Sequence, residues 1–176
     1  MLCEMEISPV DFLIGFIVIN LLLKVAYPLS GLVHELGHAC AGLLLHRQEK
    51  VRIYIGRHGQ RPTIALGRLE LYVGPTSHFW GTCEIEADFK PWQVILVSAA
   101  GPLVSCTLAG LGLWGLFNSS ALWGIRLLAG VFFYANCKLF VVSAVPKHIV
   151  HPHAPEEKSA SDGLKILQAL GGKVDG

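Results

Sequence analysis

Apolar and polar positions divide the chain into blocks of different rhythm. Residues 10–33 are almost continuously apolar, broken by Asp11, Asn20, Lys24 and Pro28, and this character runs on to Leu45. That is too long for one straight span of about 20 residues. Pro28 removes a backbone donor and crowds the preceding turn. The pattern therefore predicts helix over about residues 8–46, either as one kinked rod or as two elements, about 8–26 and 28–46.

From residue 47 to 89 the period drops to two. Val51-Arg52-Ile53-Tyr54-Ile55, Arg68-Leu69-Glu70-Leu71-Tyr72-Val73 and Thr82-Cys83-Glu84-Ile85-Glu86 alternate and are rich in β-branched and aromatic residues, which predicts strands. Gly56-Arg57-His58-Gly59 and Val73-Gly74-Pro75 read as turns between them. The expectation is a small sheet at the membrane surface. Its strands, residues 69–73 among them, would offer an edge for strand addition by an extended peptide. His58 and His78 read as solvated loop histidines.

Residues 91–117 and 121–145 are two further apolar stretches, separated by Asn118-Ser119-Ser120. In the first, Gly101, Ser105 and Ala109 form a small-residue stripe, read as a close packing face against the earlier helix and not as a cofactor site. In the second, Asn136 and Lys138 lie deep; each either lines a water-filled site or pairs with another helix or snorkels. Residues 146–161 read as a polar linker carrying His148, His151 and His153, before a short amphipathic run, Leu164-Lys165-Ile166-Leu167.

Composition turns these blocks into a membrane protein. The 176 residues are 52% hydrophobic and 15% charged, with a mean hydropathy of +0.51, too apolar for an ordinary soluble domain. The expected fold is an all-α membrane protein, one domain over residues 1–176, with three to four transmembrane helices and the small sheet inserted after the first apolar block. A formal charge of +1, with no basic patch and no glycine-rich phosphate loop, argues against nucleic acid. Cys3, Cys40, Cys83, Cys106 and Cys137 show no C-x-x-C spacing and read as small buried hydrophobes. No Lys or Arg precedes Lys24, so the first span lacks a basic leader region and is expected to stay. Arg47, Lys50, Arg52, Arg57, Arg61 and Arg68 follow the first block, so the positive-inside rule puts the sheet and the C-terminal segment, residues 146–176, in the cytoplasm of a multi-pass cell-membrane protein.

Within that lipid-embedded block stands His34-Glu35-Leu36-Gly37-His38. On a helix, two histidines four residues apart are about 40° apart and rise roughly 6 Å, so both imidazoles reach one ion. Neutral imidazole suits Zn2+, and Glu35 is left as a carboxylate able to take a proton from a water bound to that metal. Ionisable groups at membrane depth are costly and point to function. A third ligand is needed, and the C-terminal segment offers either Asp162, before Gly163, or a loop histidine.

These residues, with Ala100-Gly101-Pro102-Leu103, Pro146 and Asp162-Gly163, resemble the site-2 protease family of intramembrane zinc metalloproteases, peptidase family M50. Ser143-Ala144-Val145-Pro146 stands where that family's Asn-x-x-Pro would, and no PDZ-like insertion fits. The resemblance implies a helical catalytic core with zinc on His34, His38 and Asp162, Glu35 as general base, and hydrolysis of membrane-bound proteins or peptides within or beside the bilayer. The alternative is a membrane protein that keeps the metal site without cutting, as a regulator, scaffold or conduit. An unliganded glutamate at the second motif position argues against it.

Overall fold

The protein is described by a computed structural model covering residues 8–56, 62–74, 81–118, 122–151 and 154–171. Three helices are long and apolar enough to cross a membrane: α1 (Pro9–Leu45), α2 (Pro91–Asn118) and α3 (Trp123–Ala144). Residues 8–46 therefore form a single rod with Pro28 inside it. At 37 residues it is about 55 Å long, well beyond the roughly 30 Å hydrocarbon thickness. Ser8 caps its start, accepting from the Asp11 amide, with Pro9 in the first turn.

Four strands follow: β1 (Val51–Ile55), β2 (Ile64–Leu66), β3 (Leu69–Val73) and β4 (Gly81–Ile85), in the spatial order β2-β3-β1-β4. β1 pairs parallel with β3 and antiparallel with β4. β2, which alternation did not announce, folds back on β3 through Gly67-Arg68, where Gly67 takes φ +61° at the first position of the tight turn. This order corrects one expectation. β3 lies between β1 and β2, which pairs with its residues 69–71, whereas β4 is at the rim. His58 and His78 lie outside the described residues.

The sheet does not sit beyond the end of α1 but lies along it. Val51, Ile53 and Ile55, the inward positions of β1, pack on Leu32, Leu36, Ala39 and Leu43. Arg68, from the β2–β3 turn, locks the two together: its guanidinium donates to the carbonyls of His46 (2.8 Å) and Leu43 (3.4 Å) at the C-terminus of α1, where unsatisfied carbonyls favour a cation.

The helices approach closely where their residues are small. A Cβ on Gly37 would stand 2.9 Å from the Ala100 carbonyl oxygen of α2, and one on Gly112 would meet the α3 backbone at Phe133. Asn136 of α3 donates to Ser30 of α1 at 3.0 Å, so of its two expected roles it takes helix pairing. The described cysteines are free and none is fully buried; Cys40 and Cys106 are exposed on helices that face lipid, where a small apolar side chain needs no core.

Residues 146–161 are not a linker. β5 (His148–His151) and β6 (Ala154–Ala160) form an antiparallel hairpin, closed at its base by Ser161, whose amide donates to the Lys147 carbonyl at 3.0 Å. The short α4 (Asp162–Ala169) follows and packs near the start of α2, forming a cleft from Phe89, Pro91 and Val94 with Lys165, Gln168 and Ala169. The sheet and the C-terminal segment thus share one side of the helix bundle.

Candidate metal centre

Three donors from two distant parts of the chain, α1 and the start of α4, meet beside α2. His34 Nε2 and His38 Nε2 are 3.2 Å apart, and Asp162 Oδ2 lies 3.3 Å from the first and 3.4 Å from the second. Ligands about 2.0–2.1 Å from one tetrahedral ion stand about 3.3–3.4 Å from one another. The triangle therefore has the dimensions of one face of a tetrahedral site, and His34, His38 and Asp162 can hold a metal ion.

The outer hydrogen bonds decide which atoms face inward. His38 Nδ1 is 2.6 Å from the Val97 carbonyl oxygen of α2. A carbonyl only accepts, so Nδ1 carries the proton and Nε2 of the neutral ring presents a bare lone pair. His34 Nδ1 is 2.9 Å from Ser105 Oγ, a hydroxyl that can accept its proton in the same way. Two imidazole lone pairs and a carboxylate oxygen then converge, an arrangement that a positive charge between them stabilises. Burial pushes the Asp162 carboxyl up, while the Lys165 ammonium, 3.8 Å from Oδ1, favours its ionised form.

Local sequence explains how each part gets there. Gly101 faces both rings: a Cβ on it would stand 2.7 Å from His34 Nε2 and overlap His38. Only glycine leaves room for the centre at that turn of α2. Asp162 is placed by its neighbours. Ser161 caps α4 by accepting from the Leu164 amide, and its hydroxyl donates to the Val145 carbonyl at 2.8 Å. At Gly163 any Cβ would overlap the Ala144 carbonyl at the end of α3. The Asp-Gly pair thus brings a carboxylate to the centre because glycine lets α4 start against the end of α3.

Glu35 is buried beside this cluster without belonging to it. Its side chain lies against Gly81 of β4, where a Cβ would come within 2.9 Å of Cγ and 3.1 Å of Oε1. All four groups line one cavity of about 490 Å³, whose walls also include Gly81, Thr82 and Cys83 of the rim strand, Tyr27 and Lys138, and Ile149 and Ser159 of the hairpin. Burial pushes the Cys83 thiol up, so it stays neutral.

Of the residues singled out in the sequence, His34, Glu35, His38 and Asp162 come together and Lys138 joins them at the wall. Asn136 does not line the cavity, the side chain of His151 is not described, and His153 lies outside the described residues. Ser105, Val97, Gly101 and Gly81 complete the centre without having been assigned to it. Ser105 and Gly101 carried a signal, a polar and a very small residue on one stripe of an apolar span; a backbone carbonyl such as that of Val97 carries none. Compared with known proteins, the chain matches no family model, no curated protein and no solved structure.

Proposed function

We propose that this protein is an intramembrane zinc metallopeptidase of the site-2 protease kind, hydrolysing peptide bonds of membrane-bound substrates. The observation that carries the proposal is the convergence of His34, His38 and Asp162 with mutual distances of 3.2–3.4 Å, beside a buried Glu35 that is not one of them. Two imidazoles and a carboxylate are a zinc donor set of the hydrolytic type, which leaves a position open. A zinc ion held there supplies Lewis acidity, polarising a carbonyl oxygen and making a water acidic near neutral pH.

The chain's own residues do the rest. Glu35 accepts a proton from the attacking water as its oxygen bonds to the scissile carbon, and delivers a proton to the amine nitrogen as the carbon–nitrogen bond breaks. Ser105 and the Val97 carbonyl keep the imidazoles turned so that their Nε2 lone pairs face the ion. β4 has an unpaired edge among the described residues and contributes Gly81, Thr82 and Cys83 to the cavity wall. A substrate unwound from helix pairs with that edge, which exposes its carbonyls. The sheet and α4 face the cytoplasm. Support for a shared side comes from the cavity that β4 and α4 both line, and for its identity from the basic residues after α1.

The test is reconstitution. Purified protein in liposomes should cleave a single-span reporter, lose that activity on chelation and regain it with added zinc. Reporters N-methylated at alternate backbone amides should resist cleavage, because strand pairing needs those donors. Failure to cut any reporter while holding stoichiometric zinc would favour the non-catalytic alternative.

A further inference from the structure

The cavity contains a charge that the proposed hydrolysis leaves idle. Lys138 lines it together with Glu35 and the metal-binding cluster. It stands on α3 six residues before Ala144, about 9 Å of helix from that end, in a largely apolar span. A lysine so placed would ordinarily extend toward the nearer interface. This one turns the other way. Its ammonium lies 4.9 Å from the ring centroid of Tyr27, which precedes Ser30, the α1 partner of Asn136 two residues before Lys138, by about one turn. Among the described residues no carboxylate pairs with it; the ion pairs of the cavity join Asp162 to His34, His38 and Lys165. A cation at membrane depth is costly, and one cation–π contact offsets only part of that.

The position gives a distance. Tyr27, Gly31, His34 and His38 follow one another along the cavity face of α1, and Tyr27 precedes His34 by two turns, about 10 Å along the axis. An extended peptide advances about 3.3 Å per residue, so the two-turn offset between Tyr27, which holds the ammonium, and the metal centre corresponds to about three residues.

We propose that Lys138 is a specificity residue that reads a carboxylate of the substrate, carried about three residues from the scissile bond by an acidic side chain or a free chain end. The face of Tyr27 holds the ammonium in place, and the incoming carboxylate supplies the anionic partner that the chain does not. The position relative to the cut rests on the peptidase reading above; the preference for an anion does not.

The experiment uses zinc-loaded full-length protein in detergent and paired peptides carrying Glu or Gln at successive positions on either side of the cut, with free or amidated C-termini. Both kcat/KM and equilibrium binding to the Glu35→Gln protein are read. The Glu peptide should be favoured about tenfold or more at about the third position. Lys138→Gln should erase that ratio with zinc content unchanged, and Lys138→Arg should restore it. A ratio that follows amidation identifies the chain end as the source, and one that does not identifies the side chain. Equal handling of Glu and Gln peptides at every position, or a preference that survives Lys138→Gln, overturns the proposal. Absence of cleavage with an intact, Lys138-dependent binding preference would instead remove the peptidase reading and support the anion site.

Discussion

The two halves of α1 are both apolar in sequence and opposite in surroundings. Every buried residue of this helix lies at or after Ala26: Ala26, Ser30, Gly31, His34, Glu35, His38, Ala39 and Gly42. Over residues 9–21 the large side chains are exposed, Phe12 at 70% and Leu21 at 57%, and only Leu22 and Leu23 begin to pack on α3. The fully buried positions of the second half are thus small and polar residues, while Leu32, Leu36 and Leu43 are half-buried against the sheet. In lipid, hydrophobicity no longer marks the core; close approach and polar satisfaction do.

Removing ligands should break the contrast most completely. His34→Ala or Asp162→Asn is expected to abolish zinc stoichiometry and cleavage together, whereas Phe12→Ala in the exposed half leaves both intact; metal analysis and a reporter assay on the same preparations check this. Retained zinc in Asp162→Asn would reassign the third ligand. Next comes Gly101→Ala, which puts a methyl group against both ring nitrogens. It should cost nearly as much zinc affinity as losing a ligand, although the substitution removes no donor.

Ser105→Ala has a smaller, graded effect, because His34 keeps its place and loses only the partner of Nδ1. Zinc affinity or activity should fall about 10–100-fold, measured by competition with a chelator of known affinity. The mildest pair sharpens the comparison within one helix. Gly37→Ala brings a methyl group to 2.9 Å from the Ala100 carbonyl and should destabilise by about 1–3 kcal/mol. Gly15→Ala meets nothing within 4 Å and should be neutral or stabilising by up to about 1 kcal/mol. Thermal unfolding in detergent distinguishes them, and equal shifts would mean that the halves do not differ as described.

Much of this was legible in the sequence. Strict alternation located β1, β3 and β4 to within a residue, and apolar length located α2 and α3. His34 and His38 were legible because their four-residue spacing brings both to one face of a helix, and Glu35 as the carboxylate beside them. Three things were not. β2 is only Ile64–Leu66, too short for a period to show. The hairpin β5–β6 sits in a polar, proline-containing stretch whose pairing is closed by Ser161 and Lys147, a contact that no local pattern encodes. The packing of the sheet along α1 depends on Arg68 reaching the His46 carbonyl across 22 positions, which only the folded chain reveals. Asp162 lay between these cases: its residue type suited a ligand, but its arrival depends on Gly163 fitting against Ala144.

The central claim is that Glu35 acts beside the metal without holding it, and Glu35→Gln tests this most directly. Gln keeps the shape of the side chain against Gly81 but cannot accept the proton, a role that contributes about two to four orders of magnitude. The variant should be measured for zinc content, for substrate capture and for cleavage of a single-span reporter in one reconstituted preparation. Full zinc, retained capture and cleavage reduced at least about 100-fold are expected. Undiminished cleavage by the Gln variant, or loss of its zinc, would contradict the account.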